Sequence, residues 1–475
     1  MPRILMASSE AAPYAKTGGL ADVLEALPKA LAARGQDVAV VIPRYGHIPL
    51  GGARRLRDHL PARTGGRSYD FSVWELEPRL YALDCPPLFD RGGIYGAGGG
   101  DFPDNHIRFA AFSQAVLGVA RHVFRPDVLH GHDWQAALAI TYLRHNFARD
   151  PTLPALKTLF TIHNLGYQGI FARAQFDDLG LDAPLFHPEA LEFYGDVALI
   201  KGGLRFADRL NTVSPTYANE IQEPAFGFRL DGLLRARAAV LTGILNGVDY
   251  AQWSPESDPF IAARYDARDL GGKLACKLDL LASMGLPLEN AARPVVGIVS
   301  RLAEMKGFGL LIALTPALLE AGFSMVVLGK GEPVYEKYFR SLASARPDRF
   351  AVRIAFDNAL AHKIEAGADI FLMPSLYEPC GLNQMYSLRY GTVPVVRATG
   401  GLEDTVDETT GFKFREPSSG ALWEALQTAL AAYAAPDAWT GLMRNGMARD
   451  YSWDFSAARY AALYAEMLGA VSWTS

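Results

Sequence analysis

The stretch R-I-L-M-A-S at residues 3–8, followed by A-K-T-G-G-L at residues 15–20, decides the fold that the sequence predicts. The first run is short and apolar, as in a strand of a buried parallel sheet. From Leu20 onwards, apolar residues recur at i, i+3, i+4, i+7 and i+11, the spacing of an amphipathic helix. D-V-A-V-V-I-P at residues 37–43 predicts the next strand. Strand, glycine loop, helix and strand together predict a Rossmann-like sheet that binds ligands at the C-terminal ends of its strands.

Short apolar runs alternate with helical patterns through both halves of the chain. Further strands are predicted at residues 127–130, 158–162, 294–299, 323–328, 352–356, 369–373 and 393–396, and a helix at residues 134–147. Such alternation is typical of doubly wound parallel sheets. The sequence therefore predicts an α/β fold of two Rossmann-like domains facing a deep cleft, where a ligand site is expected.

The length of the chain, 475 residues, exceeds what one hydrophobic core usually holds, so two domains are expected. The first is predicted at residues 1–249 and the second at residues 250–455, with the junction near residues 249–255. The Gly/Pro-rich segment 85–103 lacks periodicity, which predicts a long surface loop, and such loops are often functional.

Charge, cysteine content and the N-terminus argue against several classes of protein. Lysine plus arginine number 46 and aspartate plus glutamate 51, a formal net charge of −5, so no nucleic-acid or membrane partner is expected. The three cysteines fit neither a disulfide framework nor a zinc motif. The first apolar stretch is too short for a signal peptide, and no run approaches the ~18 apolar residues of a membrane span. A cytoplasmic enzyme is expected.

The glycine pair in K-T-G-G-L, between a strand and a helix, allows backbone N–H groups to approach an anion. The helix N-terminus adds partial positive charge, and Lys16 adds a full one. A plain tight turn with a solvated lysine explains the motif equally well. The pattern is not G-x-G-x-x-G, and no acidic residue closes the second strand, so NAD binding is disfavoured. It also lacks the ending of a phosphate-binding P-loop.

Two cations follow the predicted strand at 294–299. Arg301 and Lys306 lie in S-R-L-A-E-M-K-G, where they could neutralise the negative charge that develops on a diphosphate leaving group. The alternative is a pair of solvated side chains at a helix start. Cations are mildly unfavourable there because of the helix dipole, which favours the functional interpretation.

The segment Y-E-P-C-G-L-N-Q at residues 377–384 follows another predicted strand. Glu378 could accept hydrogen bonds from sugar hydroxyls, and N–H groups near Gly381 could reach a phosphate. A helix-capping role for Glu378 is the alternative. Cys380 is better explained as a packed small residue than as a thiol nucleophile.

H-G-H-D at residues 130–133 superficially resembles a metal site. His130 and His132 share one face of a strand, but no third distant ligand is evident, so no metal is expected. His163 ends the strand at 158–162 and is predicted to face the cleft mouth, although a lone histidine is more often structural.

The order of these motifs resembles that of the bacterial glycogen synthases and plant starch synthases, glycosyltransferase family 5, along nearly the whole chain. The matching segments are Ala15–Val23, Asp127–Trp134, Thr161–Asn164, Lys201–Asp208, Thr212–Ala218, Leu241–Asp249, Ser300–Leu302, Glu378–Leu382 and Ser387–Leu402.

The resemblance implies the GT-B glycosyltransferase fold, with a last helix in residues 456–475 that packs back onto the first domain. It implies retaining transfer of glucose from ADP-glucose to the non-reducing end of an α-1,4-glucan such as glycogen or maltodextrin. Neither a metal nor another cofactor is implied.

The resemblance also implies roles for individual residues. The catalytic set would be His163 at the anomeric centre, Arg301 and Lys306 at the diphosphate, and Glu378 at the sugar hydroxyls. The substrate-binding set would be Lys16, Gly18, Gly19, Asp22, Tyr95, Asp133, Asn164, Asn246, Phe356, Cys380, Gly381, Leu382 and Asn383. Of these, Asp22 and Tyr95 are expected on the acceptor side, and Lys16 is expected to matter most when the domains are closed.

The sequence departs from its relatives at some of these positions. Phe356 stands where a tyrosine commonly stacks on adenine, and it keeps the stacking face without the hydroxyl. Asn383 stands where threonine is frequent. Two alternatives remain open: another GT-B glycosyltransferase that uses UDP-glucose, and a glucan-binding protein without activity.

Overall fold

The computed structural model describes residues 1–153 and 155–469, which fall into two compact units. Unit 1 contains Met1–Val213, Ala218–Gly247 and the chain from Trp453 onwards, and unit 2 contains Ser214–Tyr217 and Val248–Ser452. The part of the predicted C-terminal segment beyond residue 469 lies outside the described residues.

The strands are β1 Arg3–Ala7, β2 Asp37–Pro43, β3 Arg54–Thr64, β4 Arg67–Glu77, β5 Leu80–Asp84, β6 Gly96–Ala97, β7 Gly100–Asp101, β8 Val128–His132, β9 Lys157–Ile162, β10 Ile170–Phe171, β11 Glu192–Phe193, β12 Asp196–Ala198, β13 Arg209–Thr212, β14 Leu241–Gly243, β15 Val295–Val299, β16 Ser324–Leu328, β17 Phe350–Arg353, β18 Ile370–Met373, β19 Val393–Arg397 and β20 Phe412–Phe414.

The α-helices are α1 Gly19–Ala33, α2 Pro86–Phe89, α3 Asn105–Val119, α4 Asp133–Arg144, α5 Ile200–Phe206, α6 Pro215–Glu220, α7 Asp231–Ala236, α8 Gly271–Met284, α9 Phe308–Ala313, α10 Thr315–Glu320, α11 Pro333–Ala345, α12 Asn358–Gly367, α13 Asn383–Arg389, α14 Gly400–Thr405, α15 Ser419–Tyr433, α16 Pro436–Met447 and α17 Trp453–Met467. In the described chain, none of the helices is long and apolar enough to cross a membrane.

The main sheet of unit 1 has the order β14-β13-β9-β8-β1-β2-β5-β4-β3. From β14 to β5 all neighbours are parallel, and the antiparallel hairpin β3–β4 extends the edge beyond β5. The order reverses between β1 and β8, so loops at the carboxyl ends of these two strands diverge and leave room for a ligand. The hairpin was not predicted from the sequence.

Side-chain burial in unit 1 follows the predicted periodicity. Ile4, Leu5 and Met6 of β1 are fully buried, as expected for a strand inside a parallel sheet. Helix α1 buries Val23, Leu24, Leu27 and Leu31 on one face, and it packs against α17. Helices α3, α4 and α5 pack side by side. The predicted amphipathic helix and its flanking strands are therefore confirmed.

The sheet of unit 2 has the order β17-β16-β15-β18-β19-β20, and all its neighbouring strands are parallel. When the six strands are numbered by their order along the chain, their order across the sheet is 3-2-1-4-5-6, which is the Rossmann arrangement. The switch point lies between β15 and β18. The expectation of a doubly wound parallel sheet in each half of the chain is confirmed.

One predicted strand is shifted by two residues or more at both ends. The strand expected at 352–356 is β17, Phe350–Arg353, and Phe356 lies in the loop that follows it. Pairing stops because the neighbouring strand β16 ends at Leu328, which is the register partner of Arg353. The next helix, α12, then begins after Asp357, whose carboxylate accepts a hydrogen bond from the Leu360 N–H at 2.9 Å.

Candidate functional site

The switch point of unit 2 brings Lys306 and Glu378 together, although 72 residues separate them in sequence. Lys306 ends a short 3-10 turn after β15, and Glu378 lies in the loop after β18. The Lys306 Nζ lies 2.5 Å from Glu378 Oε2, and the Ser375 hydroxyl donates to the same oxygen at 3.0 Å. The Glu378 side chain is buried, whereas that of Lys306 is 24% exposed. An anion can therefore reach the ammonium group, whose direction the carboxylate fixes.

Gly307 fixes the loop that carries Lys306. Its φ is +75°, and a Cβ built on it would lie only 1.9 Å from the carbonyl oxygen of Pro374. The loops after β15 and β18 are also joined by a hydrogen bond from Leu376 N to Met305 O at 2.9 Å. Only glycine fits this left-handed, crowded position.

Arg301 follows β15 and is exposed. Among the residues that the structure describes, its guanidinium forms no ion pair, in contrast to the paired Lys306. The carboxyl end of β15 therefore presents one free and one paired cation, which suits a phosphate-bearing ligand.

The E-P-C-G-L loop is held by close backbone approaches. Gly381 has a φ of +71°, and Cβ atoms on Gly400 and Gly401 would collide with the carbonyl oxygens of Glu378 and Cys380. The Cys380 side chain is buried. Within the described chain, the N–H groups of Gly381 and Leu382 donate to no protein acceptor, so both can bind an anion.

Two further predicted residues of unit 2 have defined surroundings. The Asn383 amide donates to the carbonyl oxygen of Val299 at 2.7 Å, so it ties the start of α13 to the end of β15. Phe356 is 86% exposed, so its ring face is available for stacking. Substrate contacts by these residues remain predictions.

At the switch point of unit 1, Glu10 organises the glycine loop. It is 3% exposed and lies three residues after the end of β1. Its carboxylate accepts the Thr17 N–H and the Thr17 hydroxyl, both at 2.6 Å, and the Tyr95 hydroxyl at 2.5 Å. Glu10 was not predicted from the sequence. The only available signal was an acidic residue in the loop that follows a buried strand.

The glycine loop itself leads into α1. Gly18 is the N-cap residue, Gly19 begins the helix, and a Cβ on either would meet no atom within 4 Å. Lys16 is half-exposed and forms an ion pair with Asp22 at 2.6 Å. In the described chain the N–H groups of both glycines lack a protein acceptor, so the loop has the free donors that an anion cradle needs.

A row of histidines continues along the neighbouring strands β8 and β9. His163 Nε2 lies 2.9 Å from His132 Nδ1, and the His163 N–H donates to Asp133 Oδ1 at 2.8 Å. His130 is placed differently: it is fully buried and its ring contacts the hydroxyls of Tyr464 and Thr161 at 2.8 and 2.6 Å. His130 therefore connects α17 to the sheet, while His163 lies at the carboxyl end of β9.

Burial sets the charge state of this row. It lowers the pKa of His163 to about 3 and the pKa values of His130 and His132 well below their usual value, so all three are uncharged at pH 7. Burial raises the pKa of Asp133 to about 7, against the lowering effect of N–H donors from His163 and Asn164. Asp133 also has a φ of +55°, an unfavourable conformation for a residue other than glycine.

The two predicted asparagines of unit 1 differ in their surroundings. The Asn164 Oδ1 accepts the N–H of Gly166 at 2.9 Å. Asn246 is 8% exposed, and its buried Oδ1 has no hydrogen-bond partner among the described residues.

The described residues contain no group of three or more His, Cys, Asp and Glu side chains arranged to hold a metal ion. His130 and His132 lie on one strand, as the sequence predicts, but the first binds hydroxyls and the second faces another imidazole.

Two family models match the chain. One described as "Starch synthase catalytic domain" matches residues 3–236, and one described as "Glycosyl transferases group 1" matches residues 287–440. A glycogen synthase of Anaeromyxobacter dehalogenans is 50% identical over 97% of this chain and 99% of its own length. A glycogen synthase of Koribacter versatilis is 48% identical over 97% of both chains.

Solved structures show the same likeness. The catalytic domain of starch synthase IV from Arabidopsis thaliana, bound to ADP and acarbose, aligns with a TM-score of 0.89 at 32% identity, covering 98% of this chain and 99% of that one. A sucrose-phosphate synthase from Thermosynechococcus elongatus aligns with a TM-score of 0.61 at 20% identity, covering 99% of this chain and 100% of that one. The second likeness concerns the fold alone.

Proposed function

The chain belongs to the glycogen and starch synthases, a family of GT-B glucosyltransferases, and on this premise we propose that it transfers glucose from ADP-glucose to an α-1,4-glucan. The glucose is added at the non-reducing end with retention of its anomeric configuration, and glycogen or maltodextrin serves as acceptor. The observation that carries the proposal is the meeting of Lys306 and Glu378, beside Arg301, at the switch point of unit 2.

In the proposed reaction, unit 2 binds the donor. Arg301 and Lys306 take up the negative charge that develops on the departing diphosphate, and N–H groups of Gly381 and Leu382 bind a phosphate oxygen. Glu378, fixed by Lys306 and Ser375, accepts hydrogen bonds from hydroxyls of the transferred glucose. Phe356 offers its exposed ring to the adenine.

We assign contacts with the transferred glucose and the acceptor to unit 1. His163 borders the anomeric carbon, and Asp133, Asn164 and Asn246 bind sugar hydroxyls. Lys16 and the N–H groups of Gly18 and Gly19 bind an anionic oxygen, while Asp22 holds Lys16 through its ion pair. Tyr95 contributes through Glu10, to which its hydroxyl donates.

Retention follows most simply from attack on the same face that the diphosphate leaves. A double displacement needs a carboxylate free to bond to the anomeric carbon. Glu378 is engaged by Lys306 and Ser375, and Asp133 by the N–H of His163. The sugar–phosphate bond therefore breaks to an oxocarbenium-like state, and the departing diphosphate accepts the proton of the attacking hydroxyl. No metal or other cofactor takes part, and the enzyme acts in the cytoplasm.

Incubation of the whole protein with glycogen and either ADP-glucose or UDP-glucose tests this function, with release of nucleoside diphosphate as the measurement. We expect ADP release that depends on glycogen, and at most slow UDP release. Faster release from UDP-glucose would identify a different donor specificity. Release from neither donor, with glycogen still bound, would identify a glucan-binding protein without activity.

A further inference from the structure

His132 lies between the interior of unit 1 and His163, and it is not among the residues proposed to contact the substrates. It is fully buried, and its Nδ1 lies 2.9 Å from Nε2 of His163. Its other ring nitrogen, Nε2, is also buried and has no hydrogen-bond partner among the described residues. His132 therefore contacts His163 from the protein side.

Two proton arrangements fit this contact, because both imidazoles are uncharged and one nitrogen must donate to the other. If His163 donates from Nε2, His132 must carry its own proton on Nε2, and this buried N–H then has no acceptor. If His132 donates from Nδ1, its Nε2 is a bare nitrogen with no proton to leave unpaired. Unpaired buried N–H groups are the rarer arrangement in proteins, which favours donation by His132.

We propose that His132 is a positioning residue that holds His163 in the tautomer with its proton on Nδ1. His163 Nε2 is then the acceptor of the buried bond, and Nδ1–H is the group left for a ligand. His163 is partly exposed, and in the described chain its Nδ1 has no protein partner. The histidine therefore meets the substrate as a neutral hydrogen-bond donor.

This arrangement determines what His163 can do. A neutral Nδ1–H donates to a sugar or phosphate oxygen but cannot accept a proton from an attacking hydroxyl. His163 then acts by orientation and stabilisation of charge, and the proton goes to the diphosphate, as in the same-face attack above. This chemical consequence rests on the proposed function, whereas the tautomer itself does not.

The tautomer is measured directly by long-range ¹H–¹⁵N correlation spectra of the whole protein with ¹⁵N-labelled histidine and no ligand, with His163→Gln to assign the signal. We expect one His163 species, protonated on Nδ1. A species protonated on Nε2, or an even mixture of both, would overturn the proposal. Because no substrate is present, this outcome is independent of whether the donor is ADP-glucose.

Two variants separate positioning from mere packing. In His132→Asn the amide nitrogen can replace Nδ1 as donor, whereas His132→Leu fills the space without a donor. We expect the Asn variant to keep the Nδ1–H species and a turnover within several-fold of wild type. The Leu variant supplies no donor to His163 Nε2, so the ring loses the hydrogen bond that holds it, and turnover should fall about 10–100-fold, the range typical of leaving a buried acceptor unpaired, with a smaller change in donor KM. Equal turnover of the two variants, or loss of the Nδ1–H species in the Asn variant, would contradict the proposed role.

Discussion

The chemistry of Lys306 depends on its partner as much as on its own charge. The carboxylate of Glu378 at 2.5 Å holds the ammonium in one direction, and the 24% exposure of the lysine side chain leaves it accessible to a phosphate. A preorganised charge of this kind stabilises a transition state because it needs no reorientation as the diphosphate leaves.

Lys306→Ala should therefore lower turnover by about 10²–10³-fold, or roughly 3–4 kcal/mol, as is typical for loss of one preorganised charge-stabilising group. Steady-state rates with saturating donor are the measurement. Lys337→Ala, which removes an exposed lysine from α11 of the same unit, is the matched control and should not change the rate. Near-normal turnover of correctly folded Lys306→Ala would refute the role of Lys306.

Glu10 acts on the glycine loop through Thr17 and Tyr95. In the wild-type protein the carboxylate oxygens of Glu10 accept hydrogen bonds from these donors. In Glu10→Gln an NH2 group replaces one of the oxygens and cannot accept, so at least one charge-assisted hydrogen bond is lost. We expect kcat/KM to fall about tenfold or more, since such a bond contributes roughly 1.5–3 kcal/mol. Glu25→Gln, in the surface ion pair with Lys29, is the control. Unchanged kinetics in Glu10→Gln would show that the loop does not need this anchor.

Asp133 should make a measurable contribution to the pH dependence of the free energy of unfolding. Burial raises its pKa to about 7 in the folded protein from the ordinary aspartate value of 3.8, so between these pH values the folded state binds a proton that the unfolded state has lost. The contribution of Asp133 to the free energy of unfolding therefore decreases as pH rises from about 4 to 7.

His163 acts with the opposite sign, because its pKa falls from 6.5 to about 3 on folding, so its contribution rises with pH up to 6.5. The histidines contribute equally to the free energies of unfolding of wild type and Asp133→Asn, so their contribution cancels when the two proteins are compared. We expect the wild-type free energy of unfolding to decline relative to the variant between pH 5 and 7 in urea titrations. A difference that stays constant over this range would mean that the carboxyl pKa is not raised.

At the scale of elements, the buried strands were predictable because their apolar runs record burial on both faces of a sheet. β2 matches its predicted bounds, Asp37–Pro43, and β15 and β19 differ from theirs by one residue. The hairpin β3–β4 was missed because it forms a sheet edge, where exposed polar positions such as Arg55 and Arg57 obscure the alternation. The end of β17 could not be predicted because it depends on where its neighbour stops.

The turn between β15 and α9 gives a matched pair of glycine substitutions. Gly307→Ala forces a left-handed φ of +75° on alanine and places a Cβ 1.9 Å from Pro374 O, so the backbone must move. We expect a loss of stability above about 1–2 kcal/mol and weaker donor binding, measured by denaturant unfolding and calorimetry. Gly309→Ala, inside α9 with open space around its Cβ, should be neutral or slightly stabilising. Equal stability of the two variants would contradict the constraint.

At the scale of the whole molecule, the parallel strands of both units share the order 3-2-1-4-5-6, to which unit 1 adds a seventh parallel strand and the antiparallel hairpin. Each sheet reverses its order at the strand that carries the first predicted motif. The sequence predicted that Lys16, Arg301 and Glu378 would lie at strand ends, because strand and loop alternate visibly. It did not predict the partners of those residues. The bonds of Lys306 to Glu378 and of Tyr95 to Glu10 and the contact of His132 with His163 all join segments that are distant in sequence.

The proposed reaction extends an α-1,4-glucan with glucose taken from ADP-glucose. Incubation of the whole protein with ADP-[¹⁴C]glucose and glycogen, followed by digestion with β-amylase, tests it most directly. We expect label in the glycogen that is released as maltose, since this enzyme cleaves α-1,4-linked units from non-reducing ends. Label absent from the glycogen, or present there but resistant to β-amylase, would contradict the proposed transfer.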